Sequence, residues 1–135
     1  MTIDAKKLRL MWQITAVVYL ICVFVLTFGK FESTPDVPRF LLGIPMDKIA
    51  HFLMFIPLPI IAVYGLHRSN GKAGRFALFM LGTYIFGSIL AAGIEIGQGF
   101  TTYRSYDILD FVADTLGLSL SVLGMVVIRS ASQKW

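Results

Sequence analysis

Charge is what this chain has least of. Only 15% of its 135 residues are Asp, Glu, Lys or Arg, while 56% are hydrophobic. A soluble domain of this length usually carries charge on about a quarter of its residues. Mean hydropathy is +0.74. So much apolar surface needs a solvent other than water, and a bilayer is the simplest one. There is one cysteine, Cys22, so no disulfide forms within the chain. Its place in an apolar run predicts a buried, inert thiol. Internal repeats and low-complexity stretches are absent. So are a P-loop, a dinucleotide fingerprint and paired Cys/His zinc spacing. The net charge of +4 does not indicate nucleic acid, because the basic residues flank apolar runs rather than interleave with aromatics.

Four long apolar runs are present. Lys6, Lys7 and Arg9 precede an uncharged stretch, Met11–Phe28. That stretch is longer than a signal-peptide core, and Gly29-Lys30-Phe31-Glu32 offers no small-residue cleavage site. It reads as an uncleaved first span. Lys30–Lys48 is a connection broken by Pro35, Pro38 and Pro45, with a short apolar piece, Phe40–Ile44, suited to the interface or to a plain loop. Ile49–Leu66 is the second run, with Pro57 and Pro59 as kinks that a membrane helix tolerates. Asn70-Gly71 marks a turn before the third run, Phe76–Gln98. The fourth is Asp107–Ile128. Gly93-x-x-x-Gly97 and Gly117-x-x-x-Ser121 are candidates for close helix contact. The expectation is an all-α, polytopic membrane protein forming a single domain over 1–135, with transmembrane helices near 10–29, 48–66, 76–98 and 107–128.

Four spans put the two termini and the middle loop on one side. That side carries eight of the twelve Lys and Arg residues, which predicts cytoplasmic termini. Seven of the eight acids fall on the other side. They concentrate at three helix ends. Asp47, Lys48 and His51 open the second helix at spacings that share a face. Glu95 and Gln98 close the third. Asp107, Asp110 and Asp114 open the fourth as one stripe, with Arg104 in the loop before it. Asp107 to Asp114 covers about 10 Å of helix axis, so Asp114 lies below the headgroups. A carboxylate at the bilayer centre costs roughly 2.5–3.5 kcal/mol, so these acids should face inward.

Each residue also has a structural reading. Asp47 and Asp107 suit helix caps, Lys48 can snorkel, and His51 and Gln98 can satisfy helix contacts. Glu95, Asp110 and Asp114 suit a salt-bridge network as well as a site.

At these residues the chain resembles the VanZ-like family of small bacterial membrane proteins. The matching pieces are Asp47-Lys48-Ile49-Ala50-His51-Phe52 with Phe55, Glu95-Ile96-Gly97-Gln98, Arg104, Asp107, Asp110 and Thr115-Leu116-Gly117. Asp114 departs from the family pattern, which has asparagine there. The resemblance implies a multi-pass protein of the bacterial cytoplasmic (inner) membrane. The family's founding member is linked to resistance to the glycopeptide teicoplanin.

Several functions fit. In the first, His51, Glu95 and Asp110 do acid–base chemistry on a lipid-linked or cell-envelope ligand at the outer face. Asp47, Lys48, Gln98, Arg104, Asp107 and Asp114 then bind it. A divalent cation on the carboxylates is compatible with this reading. Thr101, Thr102 and Ser105 carry no nucleophile-activation motif. In the second, a non-enzymatic envelope protein binds a cell-wall precursor or glycopeptide. In the third, a proton- or ion-coupled carrier uses the intramembrane carboxylates, as a homo-oligomer because four spans are few. The last is a purely structural membrane protein.

Overall fold

In the computed structural model, residues 4–29, 39–67 and 72–132 are described. Pro35, Pro38, the Asn70-Gly71 turn, Lys134 and Trp135 lie outside them. Helix α1 is Ala5–Phe28, where the Asp4 side chain accepts the Lys6 N–H at 3.2 Å as an N-cap. A small hairpin follows, β1 (Phe40–Leu41) antiparallel to β2 (Ile44–Pro45). Then come α2 (Met46–Phe55), α3 (Pro57–Leu66), α4 (Ala73–Gly99) and α5 (Ile108–Ser132). Taking Met46–Leu66 together, four helical rods are long and apolar enough to cross a membrane.

The second rod is divided at Ile56, whose backbone is still helical at φ −58, ψ −42. The cause is local. Pro57 and Pro59 have no N–H, so the carbonyls of Leu53 and Phe55 lose their helical donors. At the other end of its run, α5 continues past Ile128 to Ser132, and the Arg129 guanidinium lies 4.9 Å from the Phe76 ring centroid. The Phe40–Ile44 piece is the hairpin itself. Its turn residues, Leu42 and Gly43, both have positive φ (52° and 80°), and Leu42 projects almost wholly exposed from the tip.

α2 packs most extensively on α5, α4 also lies along α5, and α1 lies along α3. Gly117 permits the first contact: a methyl there would overlap the Phe52 carbonyl oxygen. The Gly93-x-x-x-Gly97 pair does not act this way. A Cβ at Gly93 would meet nothing within 4 Å, and one at Gly97 would meet the Phe28 ring. Two apolar clusters fill the interior. Val23, Phe55, Leu58, Ala91, Ile94 and Leu118 form one; Val63, Phe76, Met80 and Met125 form the other. The outward faces are also apolar; Ile14, Val17 and Ile21 on α1 and Leu120, Leu123 and Val127 on α5 are more than half exposed. A face like that suits hydrocarbon. Cys22 lies on such a face and is exposed, which corrects the expectation of a buried thiol. In lipid, an apolar run marks contact with the bilayer as readily as contact with protein.

Candidate functional site: a buried histidine among carboxylates

The C-terminal ends of α1 and α4 and the N-terminal ends of α2 and α5 share one end of the bundle. Lys48 and His51 are one turn apart on α2, and Asp110 and Asp114 are one turn apart on α5. The close approach at Gly117 sets these two stripes against each other. Lys48 Nζ donates to Asp107 Oδ2 at 2.6 Å and to Asp110 Oδ1 at 2.7 Å. His51 Nδ1 lies 3.0 Å from Asp114 Oδ1 and 3.9 Å from Glu95 Oε1. Its Nε2 lies 3.8 Å from Asp110 Oδ2. Glu95 and Asp114 are 1% and 0% exposed.

Helical periodicity explains the depth of this centre. One turn inward from His51 is Phe55, from Glu95 is Ala91, and from Asp114 is Leu118; all three are fully buried. A polar layer therefore sits directly on an apolar one. Two of its atoms, Glu95 Oε1 and Asp114 Oδ2, are buried with no hydrogen-bond partner. An unsatisfied buried carboxylate oxygen is costly, so it calls for a proton, a cation or a ligand.

Asp107 is both a cap and an ion-pair partner. Its Oδ1 accepts the Leu109 N–H at 2.9 Å while its other oxygen holds Lys48. The Asp107 N–H in turn points at Glu95 Oε2, 3.4 Å away. The Lys48 hydrogen bond, followed by that from Leu109, holds the Asp107 carboxyl below the ordinary aspartate value. A carboxyl held low in the folded state stabilises above its unfolded pKa of about 3.9, and that contribution fades as pH falls below it. The melting temperature of wild type in detergent should therefore exceed that of Asp107→Asn at neutral pH. The gap should close as the pH drops through about 4. A gap unchanged between neutral pH and about pH 3, below that unfolded value, would remove this account.

Two cavities meet at the centre. A groove of about 410 Å³ is walled by apolar side chains of α1, α2 and α3, among them Val23, Leu26, Leu53 and Pro57, and ends on Asp47, His51 and Arg104. A polar mouth of about 250 Å³ shares Asp47 and Arg104 with it and adds Gln98, Tyr103, Ser105, Asp107 and Asp110. Arg104 is half-buried and forms no hydrogen bond or ion pair among the described residues. Asp47 is exposed at the rim. Gln98 is drawn away from the carboxylates: its amide donates to the Thr27 carbonyl at 3.2 Å, tying α4 to α1. Of the nine residues singled out from sequence, the structure brings Lys48, His51, Glu95, Asp107, Asp110 and Asp114 into one connected cluster. Asp47 and Arg104 stand at its edge, and Gln98 serves a helix contact at its side.

A family model described as VanZ/LLP1 matches residues 16–129, which contain every residue of this centre. The chain belongs to the VanZ/LLP1 family. It is also 35% identical over 77 residues to the uncharacterized protein C11E3.10 of the fission yeast Schizosaccharomyces pombe. That match covers 57% of this chain and 44% of the yeast protein, so the chain spans under half the length of the curated relative it matches. The likeness thus reaches a eukaryote and is not confined to bacteria. No solved structure matches.

In this VanZ/LLP1 chain the first helix contributes more than its sequence shows. The Tyr19 hydroxyl donates to the Met54 carbonyl at 2.8 Å, where the Pro57–Pro59 segment disturbs the helix, and Tyr19 walls the groove. Tyr103 donates to the Phe28 carbonyl at 2.7 Å, closing the loop over the end of α1. A lone tyrosine hydroxyl within an apolar run is the signal that points to Tyr19. Two sets of ligand-type atoms in the VanZ/LLP1 centre lie within 4.8 Å of one another: Asp47, His51 and Asp110 at the rim, and His51, Glu95 and Asp114 beneath. His67, the other histidine, stands at the opposite end of the bundle, edge-on to Phe76 at 5.1 Å. Burial, then the Arg129 charge, keep it below the ordinary histidine value.

Proposed function

We propose that this VanZ/LLP1 protein takes an amphiphile from the bilayer and acts on its polar head at the His51–carboxylate centre. The observation that carries the reading is the groove, apolar along α1 and α2 and ending on His51, Asp47 and Arg104. An acyl or polyprenyl chain suits its walls. An anionic head suits Arg104, whose planar donor fork matches phosphate or carboxylate. His51, Glu95 and Asp110 then supply proton transfer or metal-assisted transfer. The polar mouth admits water or a soluble second reactant.

The charge asymmetry supports cytoplasmic termini, which turns this mouth to the outer face of a cytoplasmic membrane. Lipid-linked envelope precursors are substrates of the right shape there. The match to a yeast protein weighs against a role confined to resistance to a glycopeptide antibiotic such as teicoplanin.

Native mass spectrometry of the detergent-purified protein tests this. Wild type should retain an anionic lipid. Cys22→Trp, which fills the groove from an exposed position, and Arg104→Ala, which removes the head contact, should each weaken retention by about tenfold, or 1.4 kcal/mol. His51→Ala should retain the lipid but fail to convert it. Retention indifferent to both the groove and the Arg104 change would end the proposal.

A further inference from the structure

The charges buried at the centre do not balance. His51, Glu95, Asp110 and Asp114 are each at most 5% exposed. Among the described residues, Lys48 is the cation in contact with them, and its ammonium is taken by Asp107 and Asp110. Glu95 and Asp114 are left with His51 between them, and Glu95 Oε2 also takes the Asp107 N–H. Each keeps one buried oxygen without a partner, Oε1 and Oδ2. Imidazolium would offset one of the two negative charges. The remaining charge has to be met by a proton or by a metal ion.

We propose that His51 Nδ1, Glu95 Oε1 and the Asp114 carboxylate hold a divalent cation. The geometry suits one. A tetrahedral ion bound at about 2.1 Å keeps neighbouring ligand atoms roughly 3.4 Å apart. The separations from His51 Nδ1, 3.0 Å to Asp114 and 3.9 Å to Glu95, bracket that value. The ion takes up the orphaned Glu95 Oε1, meets the Asp114 carboxylate whose Oδ1 already faces Nδ1, and leaves the imidazole neutral. Asp110, 3.8 Å from Nε2, stands on the side of the ring where an outer partner of a metal-bound histidine stands, beyond hydrogen-bond distance. Three protein ligands leave a fourth position open, the arrangement of catalytic rather than structural zinc. One imidazole with two carboxylates favours Zn²⁺ or Mn²⁺ over Ca²⁺, which takes six to eight oxygens. Asp47 belongs to the other set of ligand-type atoms, at the exposed rim, and is not needed as a ligand.

This site stands whether or not the groove holds an amphiphile, and the experiment separates the two. The tag-free full chain is purified in detergent, stripped with chelator, refilled with Zn²⁺ or Mn²⁺ and assayed for bound metal by mass spectrometry. About one equivalent per chain should bind, with a rise in melting temperature. Glu95→Gln and Asp114→Asn should each weaken binding by more than about tenfold, the lower bound for outer partners. His67→Gln and Cys22→Trp should bind as wild type does, even where Cys22→Trp has lost its lipid. Since the ligand variants can fail to fold, X-ray absorption on zinc-filled wild type gives a second reading. It should show a nitrogen and oxygen shell with a single imidazole. Refilled wild type with no bound ion, an ion without imidazole scattering, or binding that survives in a folded Glu95→Gln, Asp114→Asn double variant would each overturn the proposal.

Discussion

Lys48→Met should destabilise the protein by about 3–5 kcal/mol, the range for removing one partner of a buried ion pair. Asp110 is the reason. Its side chain is 8% exposed, and Lys48 Nζ lies 2.7 Å from its Oδ1. Methionine keeps much of the stem volume and deletes only the charge, so packing changes little. The loss should fall mainly on Asp110, since Asp107 is 40% exposed and can turn to water. Neutralising Asp110 should therefore recover most of the stability: Lys48→Met, Asp110→Asn should melt well above Lys48→Met alone. Lys48→Met, Asp107→Asn should recover less. Thermal unfolding of wild type and these variants in one detergent measures this. Equal recovery from the two aspartate changes would show that the pair is not organised as the distances indicate.

Gly117→Ala should be nearly as damaging through packing alone. Overfilling a tight contact costs about 1–3 kcal/mol, and the upper end applies where the obstruction is backbone. Here it is the Phe52 carbonyl, which cannot rotate aside as a side chain can. The helices α2 and α5 must separate, and Lys48 and His51 move off Asp110 and Asp114 as they do. The variant should lose metal and lipid binding together with stability. Gly124, two turns further along α5, has open space where a Cβ would sit. Gly124→Ala should be neutral or slightly stabilising, because alanine suits a helix interior better than glycine. Both melting temperatures and metal content are needed. A Gly117→Ala protein that melts like Gly124→Ala and still binds metal would show that the helices are not held this close.

Much of the centre is legible in the sequence, for a physical reason. Carboxylates below the headgroups cannot face lipid without a large penalty, so Glu95, Asp110 and Asp114 have to point inward. The i, i+3 and i+7 spacing puts the fourth helix's acids on one stripe, and periodicity is local information. Gln98 takes the helix-bridging role its sequence also allowed, but that its partner is the Thr27 carbonyl of α1 is not readable from spacing. The Gly93-x-x-x-Gly97 motif is half used, Gly97 lying against the Phe28 ring and Gly93 against nothing, because small residues reveal where helices can approach, not which neighbour comes. Cys22 misleads because an apolar sequence does not distinguish lipid from protein as its surroundings.

Composition and periodicity settle the solvent and the rods: scarce charge and four long apolar runs leave a bilayer as the medium, with the acids gathered at three helix ends. Which of those acids meet is decided by tertiary packing. The Phe52–Gly117 contact sets α2 against α5, bringing His51 to Asp114 while Lys48 goes to Asp107 and Asp110. That choice follows from the distance and rotation between helices, and side-chain spacing along any single helix carries no record of either.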